Sequence, residues 1–412
     1  MKLPLIPAHW SWKVLSELGS PERPVVKAGP FGSSLKKEYY VESGFRVYGQ
    51  EQVIAGSLSV GDYYINKEKF ESLKSCEVKA GDILVSLVGT FGKILVVPEI
   101  FEAGIINPRL VRLSLNPSFV NPYFFCHFFQ SPLAQHQIKL KSHGGTMDIL
   151  NTKNISELLV PLPPLEEQHR IAAILDKADA IRRKRKEAIR LTEELLRSTF
   201  LEMFGDPVTN PKGWEFRQLE ELLSEPLQNG AYFHKDYYVE DNTGTEMVHM
   251  SDAFYGMVKR GNLKRVNATL AEIEKYNLNS NDVIVTRRSL NYEGSAKPCL
   301  VSGDEPLIFE SSLIRVSVNQ KIIDHIFFFS YMSLPEARKA FVFPNVTKST
   351  ISGINQAGLH RIPIFLPPLS IQMNYRKIYE KVKLLVLRHE KTLEQSDNLF
   401  NSLLQRAFSG EL

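Results

Sequence analysis

The chain has 412 residues, 43% of them hydrophobic and 23% charged, with a formal net charge of +4. That length exceeds one ordinary core and predicts two or more domains, while the composition excludes a disordered chain. The slight positive balance is compatible with a polyanionic partner without requiring one.

The first residues carry prolines and a histidine where a leader has a charged and then an apolar stretch, so no signal peptide is expected. No run approaches ~18 apolar residues, which predicts no membrane span. Cys76, Cys126 and Cys299 are odd in number and widely spaced, which fits neither a disulfide framework nor a zinc site. A reduced, cytoplasmic protein is expected.

Taken in order, the chain runs through one set of elements twice. Pro7-Ala8-His9-Trp10, with Leu15 after it, has a counterpart 204 positions on in Pro211-Lys212-Gly213-Trp214 with Leu219. Tyr39-Tyr40-Val41-Glu42 is echoed by Tyr237-Tyr238-Val239-Glu240. Gly81-Asp82-Ile83-Leu84-Val85-Ser86 pairs with Asn281-Asp282-Val283-Ile284-Val285-Thr286, each a short apolar run after a turn residue and hence a buried strand. Leu110-Val111-Arg112 answers Leu313-Ile314-Arg315. Aromatic-rich helices are predicted over 123–129 and 326–331, ending near Ser131-Pro132 and Leu334-Pro335.

Pro163 and Pro164 cannot lie inside a helix but suit its first turn, so a long helix is predicted from Leu165. Along it Ile171, Ile174, Ala178, Ile181, Arg185, Ala188, Thr192, Leu195 and Thr199 recur in steps of three and four, the seam of a coiled coil. Its counterpart follows Leu366-Pro367-Pro368-Leu369 and carries Tyr375, Ile378, Val382, Leu385, His389, Thr392, Ser396, Leu399 and Leu403. About 40 residues at ~1.5 Å each make a rod of roughly 60 Å. An apolar seam needs cover, and each rod matches the other in length and pattern.

The expected plan is therefore α+β: two similar mixed α/β domains over 1–159 and 206–363, and two long helices over 160–205 and 364–412. The helices are expected to form an antiparallel coiled coil with a pseudo-two-fold axis near Arg185 and His389. Arg185 on the seam needs a partner, such as the carboxylate of Glu187 or Glu390.

Pro161-Leu162-Pro163-Pro164-Leu165-Glu166-Glu167-Gln168 with Ile171 and Leu175, the shorter Leu366-Pro367-Pro368-Leu369 with Gln372, and Gly81 to Ser86 followed by Gly89-Thr90 and Gly92-Lys93 carry a resemblance. They resemble the specificity subunit of type I restriction-modification systems, over essentially the whole chain. The second repeat departs from the pattern, with Ser370-Ile371 in place of Glu166-Glu167 and Arg287-Arg288-Ser289-Leu290-Asn291 in place of the glycine loop. The resemblance implies one target-recognition domain per half, reading a bipartite double-stranded DNA sequence across a helical spacer. It also implies two adenine methyltransferase subunits and ATP-dependent restriction and translocase subunits as partners, with no cofactor of its own. Readers on one face of B-DNA stand about 34–36 Å apart, within reach of such a rod.

Three chemical readings compete with this one. Asn121-Pro122-Tyr123-Phe124 resembles the Asn-Pro-Pro-Phe motif of adenine methyltransferases, but no Gly-rich loop follows a strand to hold a methyl donor, and a proline-led helix start explains it as well. Asp62 with Glu77-Val78-Lys79 can be set against a nuclease pattern, yet the second repeat lacks it. The ten histidines show no ligand spacing. A self-sufficient methyltransferase or nuclease, and a two-headed scaffold that joins proteins without reading DNA, stay open as alternatives. The basic run 182–186 reads as a solvated face with acidic helical neighbours, or as a contact to spacer phosphates or an acidic partner.

The candidates for base reading are loops that combine glycine, hydroxyls and Arg or Lys, since Arg and Lys pair with guanine, Asn and Gln with adenine. In the first domain these are Lys27, Ser33, Ser34, Lys36, Lys37, Thr90, Lys93, Lys139, Lys141, His143 and Thr146. In the second they are Asn229, His234, Lys235, Arg287, Arg288, Asn291, Tyr292, Lys297, Thr347 and Lys348. The two sets differ in composition, which predicts an asymmetric target.

Overall fold

A computed structural model describes residues 5–87, 93–141, 152–240, 243–303 and 305–412. The chain divides into two compact units, residues 1–186 with 391–412, and residues 187–390. Each unit thus takes part of both long helices.

In the first unit one antiparallel sheet has the strand order Val26–Ala28, Leu110–Leu113, Ile83–Ser86, Ile94–Val96. A second sheet has the order Tyr40–Val41, Tyr64–Ile65, Phe45–Tyr48, Gly104–Ile106, its last pair parallel. The central strand Ile83–Ser86 is buried throughout because both faces are covered. Ile83 and Val85 join the core built on Phe124, Phe125 and Phe128, while Leu84 joins the other core with Val47, Ile65 and Ile105. Alternation of side chains across a pleated strand turns two separate cores into one continuous apolar run.

The second unit repeats the scheme. Its sheets run Gln228–Asn229, Leu313–Val316, Val283–Thr286, Pro298–Leu300 and Tyr238–Val239, Lys264–Val266, Thr245–Val248, Leu307–Phe309. Val283 and Val285 face the core of Phe327 and Phe328, and Ile284 faces that of Val248 and Phe309. In both units an early strand closes on the one before the double proline, Ser11–Val14 on Leu159–Leu162 and Phe216–Gln218 on Pro363–Phe365. The second unit also contains a short ladder, Arg288–Ser289 with Ser352–Gly353.

The aromatic helices are Pro122–Gln130 and His325–Ser333, capped by side chains that satisfy their first amides. The Asn121 Oδ1 accepts from the Phe124 amide at 2.9 Å, and the Asp324 Oδ1 from those of Ile326 (2.9 Å) and Phe327 (3.2 Å). The long helices span Leu165–Phe204 and Leu369–Ser409. Gly205 and Gly410 stop them in the left-handed region, at φ +86° and +77°, where a side chain is strained.

Within each unit the helix segments run antiparallel. In the first, Arg182 Nε meets an Asp397 oxygen at 2.6 Å, Arg170 reaches the carbonyl of Leu412, and Phe400, Leu404 and Phe408 share a core with Ile171 and Leu175. In the second, Phe200 and Phe204 pack on Tyr375, each pair with centroids 5.4 Å apart. Fully burying one such ring contributes about 1.5–3 kcal/mol.

The seam itself departs from expectation by one residue in every second step. Along the expected seam Ile171, Tyr375, Val382 and Ser396 are buried, and Ala178, Arg185, His389 and Leu403 half-buried. At the alternate positions Leu175, Tyr379, Val386 and Phe400 are the buried ones. Ile174 and Ile378 are only half-buried, while Ile181, Leu195, Leu385 and Leu399 are exposed. The cause is a stripe wider than a two-position seam: Ile174-Leu175, Leu195-Leu196, Leu385-Val386 and Leu399-Phe400 offer two apolar lines, and only one can face inward. Arg185 also meets no carboxylate of Glu187 or Glu390; it donates to the Thr392 carbonyl and the Ser396 hydroxyl.

Candidate nucleic-acid interface

The double-proline signature has a structural role. Gln168 and Gln372 are fully buried, one at the start of each long helix. The Gln168 side-chain Oε1 accepts from the Asn121 backbone amide (2.9 Å), and its Nε2 donates to the Phe119 and Pro163 carbonyls, both 2.9 Å. Gln372 repeats this with the Asp324 amide (2.9 Å) and the Pro367 carbonyl (2.7 Å). Each glutamine therefore fastens a long helix to the aromatic helix of its own domain. Asn121 is likewise absorbed: its amide group meets His169 Nδ1 at 2.8 Å while its oxygen caps the helix.

Of the nuclease-like residues, Glu77 has an ordinary ion-pair partner and Lys79 lends its backbone amide to a turn. Glu77 pairs with Lys74 at 3.1 Å, and the Lys79 amide donates to Asp82, which is buried with Arg23 at 3.0 Å and the Ser114 hydroxyl at 2.7 Å. Asp82 and Asp282 thus pin the turn before each central strand. Burial raises the Asp282 carboxyl above the usual range, against the opposing bonds from the Ser317 hydroxyl (2.6 Å) and the Asn279 amide (2.8 Å). Among the described residues no group of three or more His, Cys, Asp or Glu side chains could hold a metal ion.

In the second unit three loops chosen from sequence lie together. The Ser311 amide donates to the Ala231 carbonyl (2.8 Å), and the Arg287 amide to that of Ser312 (2.8 Å), so the turn Glu310 to Ser312 joins loop 228–235 to loop 287–297. The Arg288–Ser289 ladder and the Ile354 amide on the Arg287 carbonyl (2.9 Å) add loop 345–350. Lys348 Nζ sits 4.4 Å from the Tyr292 ring centre, and the Tyr292 hydroxyl donates to the Phe343 carbonyl at 2.8 Å.

Arg288, Asn291, Thr347 and Lys348 are exposed and Arg287 is half-buried. Lys297 points inward, donating to the Phe254 carbonyl at 2.6 Å. Asn229 is half-buried on its strand; His234, 2.8 Å from Asp236, and Lys235 are exposed. These last two line a groove of about 1120 Å³ with Tyr232, Lys264 and Arg265. Leu290, Asn291 and Lys297 border a second cleft of about 620 Å³.

Arg338 forms part of that cleft wall and braces the loop. It is 8% exposed and has no carboxylate at salt-bridge distance among the described residues. Its guanidinium donates to the carbonyls of Ala296 (2.8 Å), Ser295 (2.8 Å), Glu293 (2.9 Å) and Met332 (3.4 Å). Burial pushes its pKa down to about 10. The charge holds together a turn in which Ala296 takes a left-handed φ of +55°.

In the first unit Lys27 is half-buried on its strand, Ser34 half-buried, and Ser33, Lys36, Lys37, Lys93 and Lys139 exposed. Lys36 pairs with Glu38 at 3.6 Å. Thr90, His143, Thr146 and the side chain of Lys141 lie outside the described residues. Arg109 escaped the sequence reading. It is exposed on the turn after Asn107-Pro108, and the Leu87 amide donates to its carbonyl at 3.0 Å as Arg287 does to Ser312. The Asn-Pro turn between two strands was the available signal.

A profile for the type I restriction modification DNA specificity domain matches residues 25–191 and again 211–395. The chain is 25% identical over 311 residues to the type I restriction enzyme EcoKI specificity subunit of Escherichia coli K12, covering 70% of this chain and 65% of that protein. It is 27% identical over 214 residues to the Escherichia coli EcoBI specificity subunit, covering 50% of this chain and 43% of the relative. The chain therefore spans less than two thirds of the length of these relatives. The MjaIX specificity subunit of Methanocaldococcus jannaschii is 20% identical over 99% of this chain and 94% of its own length. In fold, the S subunit from M. genitalium matches with a TM-score of 0.54 at 15% identity, over 97% of this chain and 96% of that one. A chain from a type I restriction-modification complex matches at 0.53 and 19%, over 99% and 100%.

Proposed function

The chain belongs to the type I restriction-modification DNA specificity family, and from that premise we propose that it binds a bipartite, asymmetric DNA target and directs partner subunits to it. The carrying observation is the gathering of loops 228–235, 287–297 and 345–350 by backbone hydrogen bonds in the second unit. The clustered side chains pair cations with amides and hydroxyls, the set that reads base edges and phosphates. The first unit offers the same frame with different loop residues, so its half-site differs in sequence.

In this reading the long helices set the gap between half-sites, and the chain performs no reaction itself. The methylation and ATP-dependent cleavage belong to two adenine methyltransferase subunits and to restriction and translocase subunits in the cytoplasm. The outward apolar line offers docking positions for such partners, Ile181 and Leu399 in the first unit and Leu195 and Leu385 in the second. No helix among the described residues is long and apolar enough to cross a membrane.

Selection of duplexes from a random pool by the purified chain with its methyltransferase partner tests the proposal. Two short, unlike motifs at a fixed distance are expected. Enrichment of no motif would leave the two-headed scaffold as the better reading, and methyl transfer by the chain alone would support the enzyme.

A further inference from the structure

Two aromatic rings stand out of the surface at the same place in the two repeats. Phe31 is 87% exposed and Tyr232 is 82% exposed; the next most exposed aromatic among the described residues is Phe119 at 57%. Each follows the edge strand of its antiparallel sheet, Val26–Ala28 or Gln228–Asn229, in the sequences Gly29-Pro30-Phe31 and Gly230-Ala231-Tyr232.

The mount beneath each ring is rigid. A Cβ on Gly29 would lie 1.8 Å from the Asn107 carbonyl oxygen, and one on Gly230 would lie 2.2 Å from that of Phe309 and 2.4 Å from that of Glu310. Both glycines therefore let the loop backbone press against the turn before the sheet's second strand. Their amides donate to Leu110 (3.0 Å) and Leu313 (3.3 Å). Pro30 and Ala231 are buried, so the next side chain is turned outward. A ring left in water on a fixed support, in two repeats that otherwise differ in their loops, is a feature the fold has no need of.

Cations outnumber carboxylates near both rings. Lys36, paired with Glu38, and Lys37 are exposed a few residues after Phe31; Tyr232 shares its groove with Lys235, Lys264 and Arg265, with His234, which pairs with Asp236, and with the one carboxylate of Glu240. Cations flanking an apolar ring match a polyanion with stacked apolar faces inside it. Proteins that enter DNA this way place an apolar wedge between base steps, partly unstacking them, while neighbouring cations hold the phosphates.

We propose that Phe31 and Tyr232 are paired aromatic wedges, each inserting at a base step of its own half-site. The inference rests on the DNA-reading function above and goes beyond it, since it assigns unstacking to the specificity chain itself. A local opening in each half-site would lower the cost of extruding an adenine for a partner methyltransferase.

The test uses the duplex selected by the wild-type chain, with 2-aminopurine placed at successive positions. Binding of the full chain with its methyltransferase partner should raise fluorescence at one step in each half-site. Phe31→Ala should abolish the rise in one half-site only and Tyr232→Ala in the other, each weakening DNA affinity about tenfold to a hundredfold. Phe31→Trp and Tyr232→Phe should retain it. Both alanine changes remove exposed side chains, so melting curves should match wild type and exclude misfolding.

Absence of a rise with the wild-type chain, or a rise unchanged in both alanine variants, overturns the wedge while leaving DNA reading intact. Loss of methyltransferase association in place of DNA affinity also overturns it. Failure to select any bipartite duplex defeats the DNA-reading function itself.

Discussion

Replacing Arg338 by methionine isolates what a buried charge contributes to the loop 287–297, proposed above to read one half-site. The substitution keeps similar bulk and removes a guanidinium that donates to three carbonyls at 2.8–2.9 Å and a fourth at 3.4 Å. Orphaning three largely buried carbonyls at about 1 kcal/mol each costs roughly 3 kcal/mol, and relief of the buried charge offsets part of that. For a unit of this size the loss corresponds to a melting shift on the order of 5–10 °C. Because the carbonyls belong mostly to residues 293–296, the larger effect should fall on the adjoining Asn291 and Tyr292.

Denaturation combined with pool selection reads both effects. Arg338→Met should melt earlier and relax base preference in the second half-site while sparing the first. Arg338→Lys should restore the charge but only part of the loop order, since an ammonium lacks the planar fork. In the first repeat Gln135 stands at the matching position, and its amide donates to the Phe129 carbonyl at 2.7 Å. A variant that melts and discriminates like wild type refutes the clamp.

The two glutamines at the helix starts should behave alike. Gln168→Ala and Gln372→Ala are each expected to cost about 1–3 kcal/mol, measured by urea denaturation; a negligible loss would contradict their stitching role. Joint replacement of Arg287 and Arg288 by alanine should alter one half-site in the selected motif. Equal weakening at all sequences, with a shallower salt dependence, would make them phosphate contacts. Changing Ile181 and Leu195 to glutamate should leave the melting temperature within about 1–2 °C, because both side chains are half in water, yet weaken association with the methyltransferase in a pull-down.

The sequence carried the frame more sharply than the site. Prolines and glycines fix where chains turn, so Pro163-Pro164 and Gly205 bracket a helix observed over Leu165–Phe204. Ile83–Ser86 and Val283–Thr286 were legible because a strand covered on both faces must be apolar throughout. The seam was half legible: one line, through Ile171 and Tyr375, is fixed by period alone. Choosing between Leu385 and Val386 requires knowing which way the partner helix lies.

The loops were least legible, because surface chemistry leaves no periodic trace. Lys297 and Lys348 look equivalent as letters, yet one donates into the fold at Phe254 and the other lies over Tyr292 at the surface. Arg338 could not be found either, since its role depends on carbonyls some 40 residues earlier in the chain.

The proposed spacer role, in which the helix pair sets the gap between two unlike half-sites, is tested most directly by one comparison. A seven-residue insertion after Lys186, matched by another after Glu390, keeps the 3–4 pattern and lengthens the pair by roughly 10 Å, or about three base pairs at one turn per 10–10.5 base pairs and 34–36 Å. Pool selection with this variant should return the same two half-sites as wild type with a gap longer by about three base pairs. The same gap, or a single contiguous motif in either protein, would contradict the spacer account.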